Sequence, residues 1–176
     1  MTPCRPFKTS DPRRWLQAHR SVTGLERTPN PDPYPASVRE LLDPTIMFKP
    51  EALRAVRFFA RSRPWHGTLD ERHHKFSTLH DDLCAAYGLD PKPRLIFGND
   101  HQTCSGKSCF ITAMSTIVLR GRLSVVTYLH ELAHARGMNE RQACRSSINL
   151  FRRCFPKSWG NVAFDGHMIR RRGGDQ

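Results

Sequence analysis

Apolar residues recur at helical spacing over several stretches of the chain and cluster in short runs between them. Behind Thr68, the residues Leu69, Phe76, Leu79, Leu83 and Ala86 recur at helical spacing, and Gly88 closes the series. Thr68-Leu69-Asp70-Glu71 has the form of a capping box, in which hydroxyl and carboxylate satisfy each other's free N–H groups. The spacing therefore predicts a helix from Thr68 to Gly88. A shorter helix is expected at Ala36–Leu42, and another over Glu51–Ala60, with Pro50 in the first turn that tolerates proline. Arg94-Leu95-Ile96-Phe97, between proline and glycine, reads as a buried strand. Asn99–Ser108 reads as a loop. Cys109–Met114 and Thr116–Leu119 predict one bent strand or a hairpin, ended by Gly121. Leu123–Ala135 is helical in pattern, Gly137 breaks it, and Asn139 can cap a second helix that Pro156 ends near Phe155. Trp159–Arg172 carries no regular pattern.

The first 35 residues differ from the rest. They hold seven of the 13 prolines, which block helix in themselves and in the residue before. Residues 1–35 are expected to be an extended arm with one short helical turn near Arg13–His19. Residues 36–176 are expected to form one domain, as a chain of 176 residues allows. With 38% hydrophobic residues there is material for a core, which excludes collagen-like and wholly disordered classes. No stretch approaches the roughly 18 apolar residues of a membrane helix, and the first residues lack an apolar leader segment. A cytoplasmic protein is expected. In that compartment the six cysteines would be free thiols, although Cys104 and Cys109 are near enough to pair. The 28 Lys+Arg against 16 Asp+Glu leave a net charge of +12, which fits either a footprint for nucleic acid or another acidic partner, or an arginine-rich soluble surface.

The sharpest chemistry lies in His130-Glu131-Leu132-Ala133-His134. On a helix, residues four apart share one face, so two imidazoles can grip one metal ion. Glu131 is offset by about 100° of helical rotation, beside the open side of that ion, where it can take a proton from water. Catalytic zinc usually has three protein ligands. Glu140 stands six residues beyond His134, past the helix-breaking Gly137, where the chain can turn and return a carboxylate to the metal. Asp165 and His167 are the alternatives for that place. The residues thus predict zinc held by His130, His134 and Glu140, with Glu131 as general base.

The segment Thr127–His134, followed by Glu140-Arg141-Gln142-Ala143 and Leu150-Phe151, resembles the small gluzincin metallopeptidases of the ImmA/IrrE type. The resemblance covers Arg94–Pro156. It implies an α+β fold, a zincin-like minidomain in which a small sheet packs on the active-site helix and a following glutamate helix. The N-terminal helices would be additions. It also implies that Glu140, in the E-x-x-A element, is the third zinc ligand, and that an edge strand binds an extended polypeptide by backbone pairing. Thr116–Arg120 would be that strand, with Thr116, Val118 and Arg120 as substrate-binding positions. The step from His134 to Glu140 also gives the metzincin layout with Glu in the last place. The SprT-like proteases are similar in sharing the motif and a basic balance.

Further positions carry lesser expectations. His167, downstream in Asp165-Gly166-His167, is placed to stabilise an oxyanion. His101 and Lys107 could line the cleft. Tyr128 is expected to pack away from the metal, and His73, His74 and His80 to be solvated or packing residues. Cys144 and Cys154 are expected to face the core, with Leu150 and Phe151 at its edge. Two other functions compete with a zinc metallopeptidase: a basic nucleic-acid- or nucleoprotein-binding protein with a structural or vestigial zinc site, and a metal-dependent hydrolase of another bond.

Overall fold

The computed structural model describes residues 38–98, 108–121, 123–165 and 168–171, all within the unit Tyr34–Gln176. Helix α1 is Val38–Leu41, α2 is Pro50–Arg61 and α3 is Leu69–Tyr87. Strand β1 (Arg94–Gly98) is followed by β2 (Cys109–Ile111), a 3-10 turn at Thr112–Met114, and β3 (Thr116–Arg120). Helices α4 (Val125–Ala135), α5 (Glu140–Cys154) and the short α6 (Pro156–Gly160) come next. The hairpin β4 (Val162–Asp165) and β5 (Met168–Arg171) closes the described chain. The architecture is a small α+β fold.

Local chemistry sets the helix ends. Thr68 caps α3 with both halves of the box: its Oγ1 accepts from Glu71 N–H, and Glu71 Oε2 accepts from Thr68 N–H at 2.7 Å. Gly88, at φ +66°, ends that helix in the left-handed region that glycine adopts without penalty. Ser124 caps α4, and Asn139 caps α5 in a reciprocal box with Gln142. Pro156, expected only as a terminator, instead opens α6 as its first residue.

The sheet has the order β1-β3-β2, with β1 parallel and β2 antiparallel to β3. Thr116–Arg120 is therefore the central strand and not the expected edge. Thr116 is 1% exposed and Val118 5% exposed, and the backbone on both flanks is paired. An extended peptide cannot add beside Thr116, Val118 and Arg120, because neighbouring strands occupy both sides. Among the described residues the run Arg94–Phe97 is a half-buried edge strand, where a buried one was expected. Residues 109–119 form a hairpin, the second of the two expected forms. The segment after Trp159 is a hairpin where irregular chain was expected. The arm 1–35, His101, Lys107 and His167 lie outside the described residues, as does the side chain of Asp165.

One core joins the apolar faces of α2, α3, α4 and α5 to the sheet, around Phe59, Phe76, Leu83, Ile117, Leu132 and Phe151. Leu69, at the start of α3, stays exposed. At the other side, Asn149 of α5 clamps the chain after α1. Its Nδ2 donates to Leu41 O at 2.7 Å, and its Oδ1 accepts from Asp43 N–H at 2.9 Å. Tyr128, two residues before the motif, is completely buried. Its hydroxyl donates to His80 Nδ1 at 3.1 Å while His80 Nε2–H donates to Pro93 O at 2.8 Å, so the neutral imidazole is satisfied on both nitrogens. His73 stacks on Phe97 with centroids 4.1 Å apart.

Burial is the main reason the pKa of His80 lies below its ordinary 6.5; Pro93 O and Asp81 oppose that shift, and Lys92 adds to it. The unfolded chain thus binds a proton at higher pH than the folded one. The stabilising contribution of the neutral ring is complete above about pH 6.5 and is lost as pH falls below it. Urea unfolding at pH 7.5 and at pH 5 should show a larger loss of stability on acidification for the native chain than for His80→Gln. Equal losses would contradict the assignment.

Candidate metal centre

Helix α4 carries both histidines on one face, as a spacing of four requires. The turn that follows brings the carboxylate to them. Gly137 N–H donates to His134 O and Met138 N–H to Ala133 O, the paired bonds of a Schellman motif. Gly137 holds φ +83° at its centre. Asn139 then starts α5, and Glu140 is its first helical residue. The sequence H-A-R-G-M-N-E is thus a helix stop, a left-handed turn and a helix start within six steps.

Three side chains converge there. His130 Nε2 and His134 Nε2 are 3.0 Å apart. Glu140 Oε2 lies 3.1 Å from His134 Nε2, and its Oε1 lies 3.4 Å from His130 Nε2. Nitrogen and oxygen ligands about 2.0–2.2 Å from a tetrahedral ion stand about 3.3–3.5 Å from one another, so the spacing suits a small cation with modest opening. His134 Nδ1–H donates to Met138 O at 2.9 Å, which leaves Nε2 as the lone-pair nitrogen facing the other donors. All three side chains are partly exposed.

Cys144 joins this group. It stands one turn after Glu140, half-buried, and as expected it packs on the core side, against the small apolar cluster of Val38, Leu41 and Ile148; Cys154 also faces the core. His130, Glu140 and Cys144 offer ligand atoms within 4.8 Å of one another, a set that could hold a metal ion. The set of His130, His134 and Glu140 closes more tightly. Cys144 Sγ lies 3.7 Å from His130 Nδ1, the ring nitrogen not turned to His134, and donates to Glu140 Oε1 at 3.6 Å. Burial, with help from the Glu140 carboxylate, pushes this thiol up to about 12, so it is a protonated donor. A reading for i, i+4 neighbours of Glu140 would have found it. Cys109 is disulfide-bonded, against the expected free thiol, while Cys84, Cys144 and Cys154 are free.

Glu131 is 8% exposed. Its Oε2 accepts the backbone N–H of Phe110, in β2, at 2.7 Å. Burial raises its pKa above the usual carboxylate range; His130, the Phe110 N–H and His134 pull it down, and Glu140 adds to the rise. Glu140 itself is the chief reason the pKa of His134 is raised, against burial and with help from Met138 O. The Phe110 N–H points to Glu131 and not across the sheet, so the outer side of β2 faces Glu131. Among the described residues β2 is an edge strand.

Gly137→Ala tests the turn. A Cβ there meets nothing within 4 Å, so only the left-handed backbone is at stake. The substitution is expected to cost about 1–2 kcal/mol and to weaken metal binding as Glu140 is displaced. Calorimetric titration of metal into both proteins checks this; unchanged affinity would mean the turn does not place Glu140. Among the described residues, no helix is long and apolar enough to cross a membrane.

Comparison with known proteins returned no match to a family model, a curated protein or a solved structure.

Proposed function

We propose that the chain is a zinc-dependent metallopeptidase. The observation that carries this reading is the convergence of His130 Nε2, His134 Nε2 and Glu140 within 3.0–3.4 Å, beside a buried glutamate tied to an edge strand. The resemblance to gluzincins supports the same ligand set, and with three ligands a tetrahedral ion keeps one position open. Zinc bound there would lower the pKa of a water molecule to about 7 and polarise a carbonyl. Glu131, held through Oε2 by the Phe110 N–H, would accept a proton at Oε1 from the attacking water and hand it to the leaving amine. Its partial burial keeps bulk water from competing for the proton. Met138 O fixes the tautomer of His134, and Cys144 orients His130 and Glu140 from behind. The substrate is an extended polypeptide, and β2 takes the role the sequence suggested for Thr116–Arg120, because its outer side faces Glu131.

The purified chain should carry about one zinc per molecule and cleave members of an unstructured peptide library. Chelation should stop cleavage and added zinc restore it. A protein that takes up no zinc, or a zinc-loaded protein that cleaves nothing in the library, overturns the proposal.

A further inference from the structure

At the far end of α5 from the metal centre lies a second site, which the proposed chemistry does not use. A cavity of about 630 Å³ opens between α2, the loop after it and the start of α6. Arg57, Arg61, Arg63, Arg153 and Lys157 line it together with Trp65, and among the described residues no carboxylate does. An adjoining cavity of about 350 Å³ shares Arg57 and Arg61 and adds Arg54 and Phe58. Arg54, Arg57 and Arg61 fall at i, i+3 and i+7, on one face of α2. Among the described residues, no carboxylate forms an ion pair with Arg54, Arg57, Arg61, Arg63 or Lys157. Among the described residues these cations are gathered in one place without a carboxylate between them, which makes a positive field that attracts an anion from outside.

The surround is built. Lys75 Nζ donates to Arg63 O at 3.2 Å and to His66 O at 2.8 Å, which pins the loop. Arg63 holds φ +52°, a left-handed backbone unusual for a side chain of its kind. Arg153 donates to Pro44 O at 3.0 Å. Trp65 is backed by Phe155, with centroids 5.6 Å apart, and is still 48% exposed. Phe58 is 63% exposed. Cations interleaved with open aromatic planes in a concave site suit phosphates joined to bases. An acidic peptide would have no use for the aromatic planes, and a membrane surface would not enter the concavity.

We propose that this cavity binds single-stranded nucleic acid, with phosphates on Arg57, Arg61, Arg63 and Lys157 and a base stacked on Trp65. The site stands about 21 Å along α5 from Glu140, and the proposal does not depend on zinc or peptidase activity. Fluorescence anisotropy with a labelled 12-nucleotide oligo-dT tests it. Four phosphate contacts to a single strand predict a loss of about 50-fold in affinity between 50 and 200 mM salt. Trp65→Ala should weaken binding by about 10-fold or more. Arg57→Glu with Arg61→Glu should weaken it further and flatten the salt dependence. Circular dichroism and metal content serve as fold controls for each variant; should the double variant misfold, Trp65→Ala with Lys157→Ala replaces it. Unlabelled duplex of the same length and polyglutamate should compete poorly. Absence of binding at 50 mM salt, native affinity in the folded variants, or equal competition by duplex or polyglutamate would overturn the proposal.

Discussion

Glu131→Gln is expected to lower the rate of peptide cleavage by about 10²–10⁴-fold while leaving the zinc content unchanged. Glutamine has the same shape and keeps an oxygen to accept the Phe110 N–H, so the 2.7 Å tie to β2 can survive. What the amide cannot do is take a proton from water at neutral pH. A 10³-fold loss corresponds to about 4 kcal/mol of barrier, well above what a small shift of packing produces. The measurement is the turnover of a cleavable library peptide beside elemental analysis of the same preparation. Full activity in the variant would refute the general-base role; loss of metal along with activity would show that Glu131 serves the site's structure.

His134→Ala should produce the opposite division, with metal and activity disappearing together. The substitution removes one of three donors and frees the Met138 carbonyl that held the ring. Loss of groups that merely orient ligands costs 10- to 100-fold in metal affinity, so loss of the ligand itself is expected to cost more than about 100-fold. Competition against a chromophoric chelator gives the number. An affinity within tenfold of the native one would remove His134 from the ligand set and favour a site built on His130, Glu140 and Cys144.

The sequence was most legible where structure depends on near neighbours. Thr68, Gly88, Gly137 and Asn139 act within a few residues of themselves, and the helix ends fall where their chemistry puts them. The convergence of His130, His134 and Glu140 was legible for the same reason, since one turn separates the two helices. Strand order was not. Val118 and Phe110 look alike as β-formers, and nothing local says which strand lies in the middle of β1-β3-β2. The expectation for Thr116–Arg120 failed on that point. Tyr128 was read as a packing residue, but its bond to His80 joins residues 48 apart. The basic cavity likewise depends on α2 meeting the end of α5, which periodicity does not record. Cys144 was readable at i+4 from Glu140, although cysteine is more often a core residue.

All three ring and carboxylate donors come from eleven consecutive positions, 130 to 140, across one reversal of the chain. Removing an ion bound there would therefore ask little of the rest of the molecule. The large apolar cluster among α2, α3, α4 and the sheet contains none of those donors. The apoprotein should keep its tertiary structure and reload reversibly, unlike small zinc-folded modules whose chain collapses on demetallation.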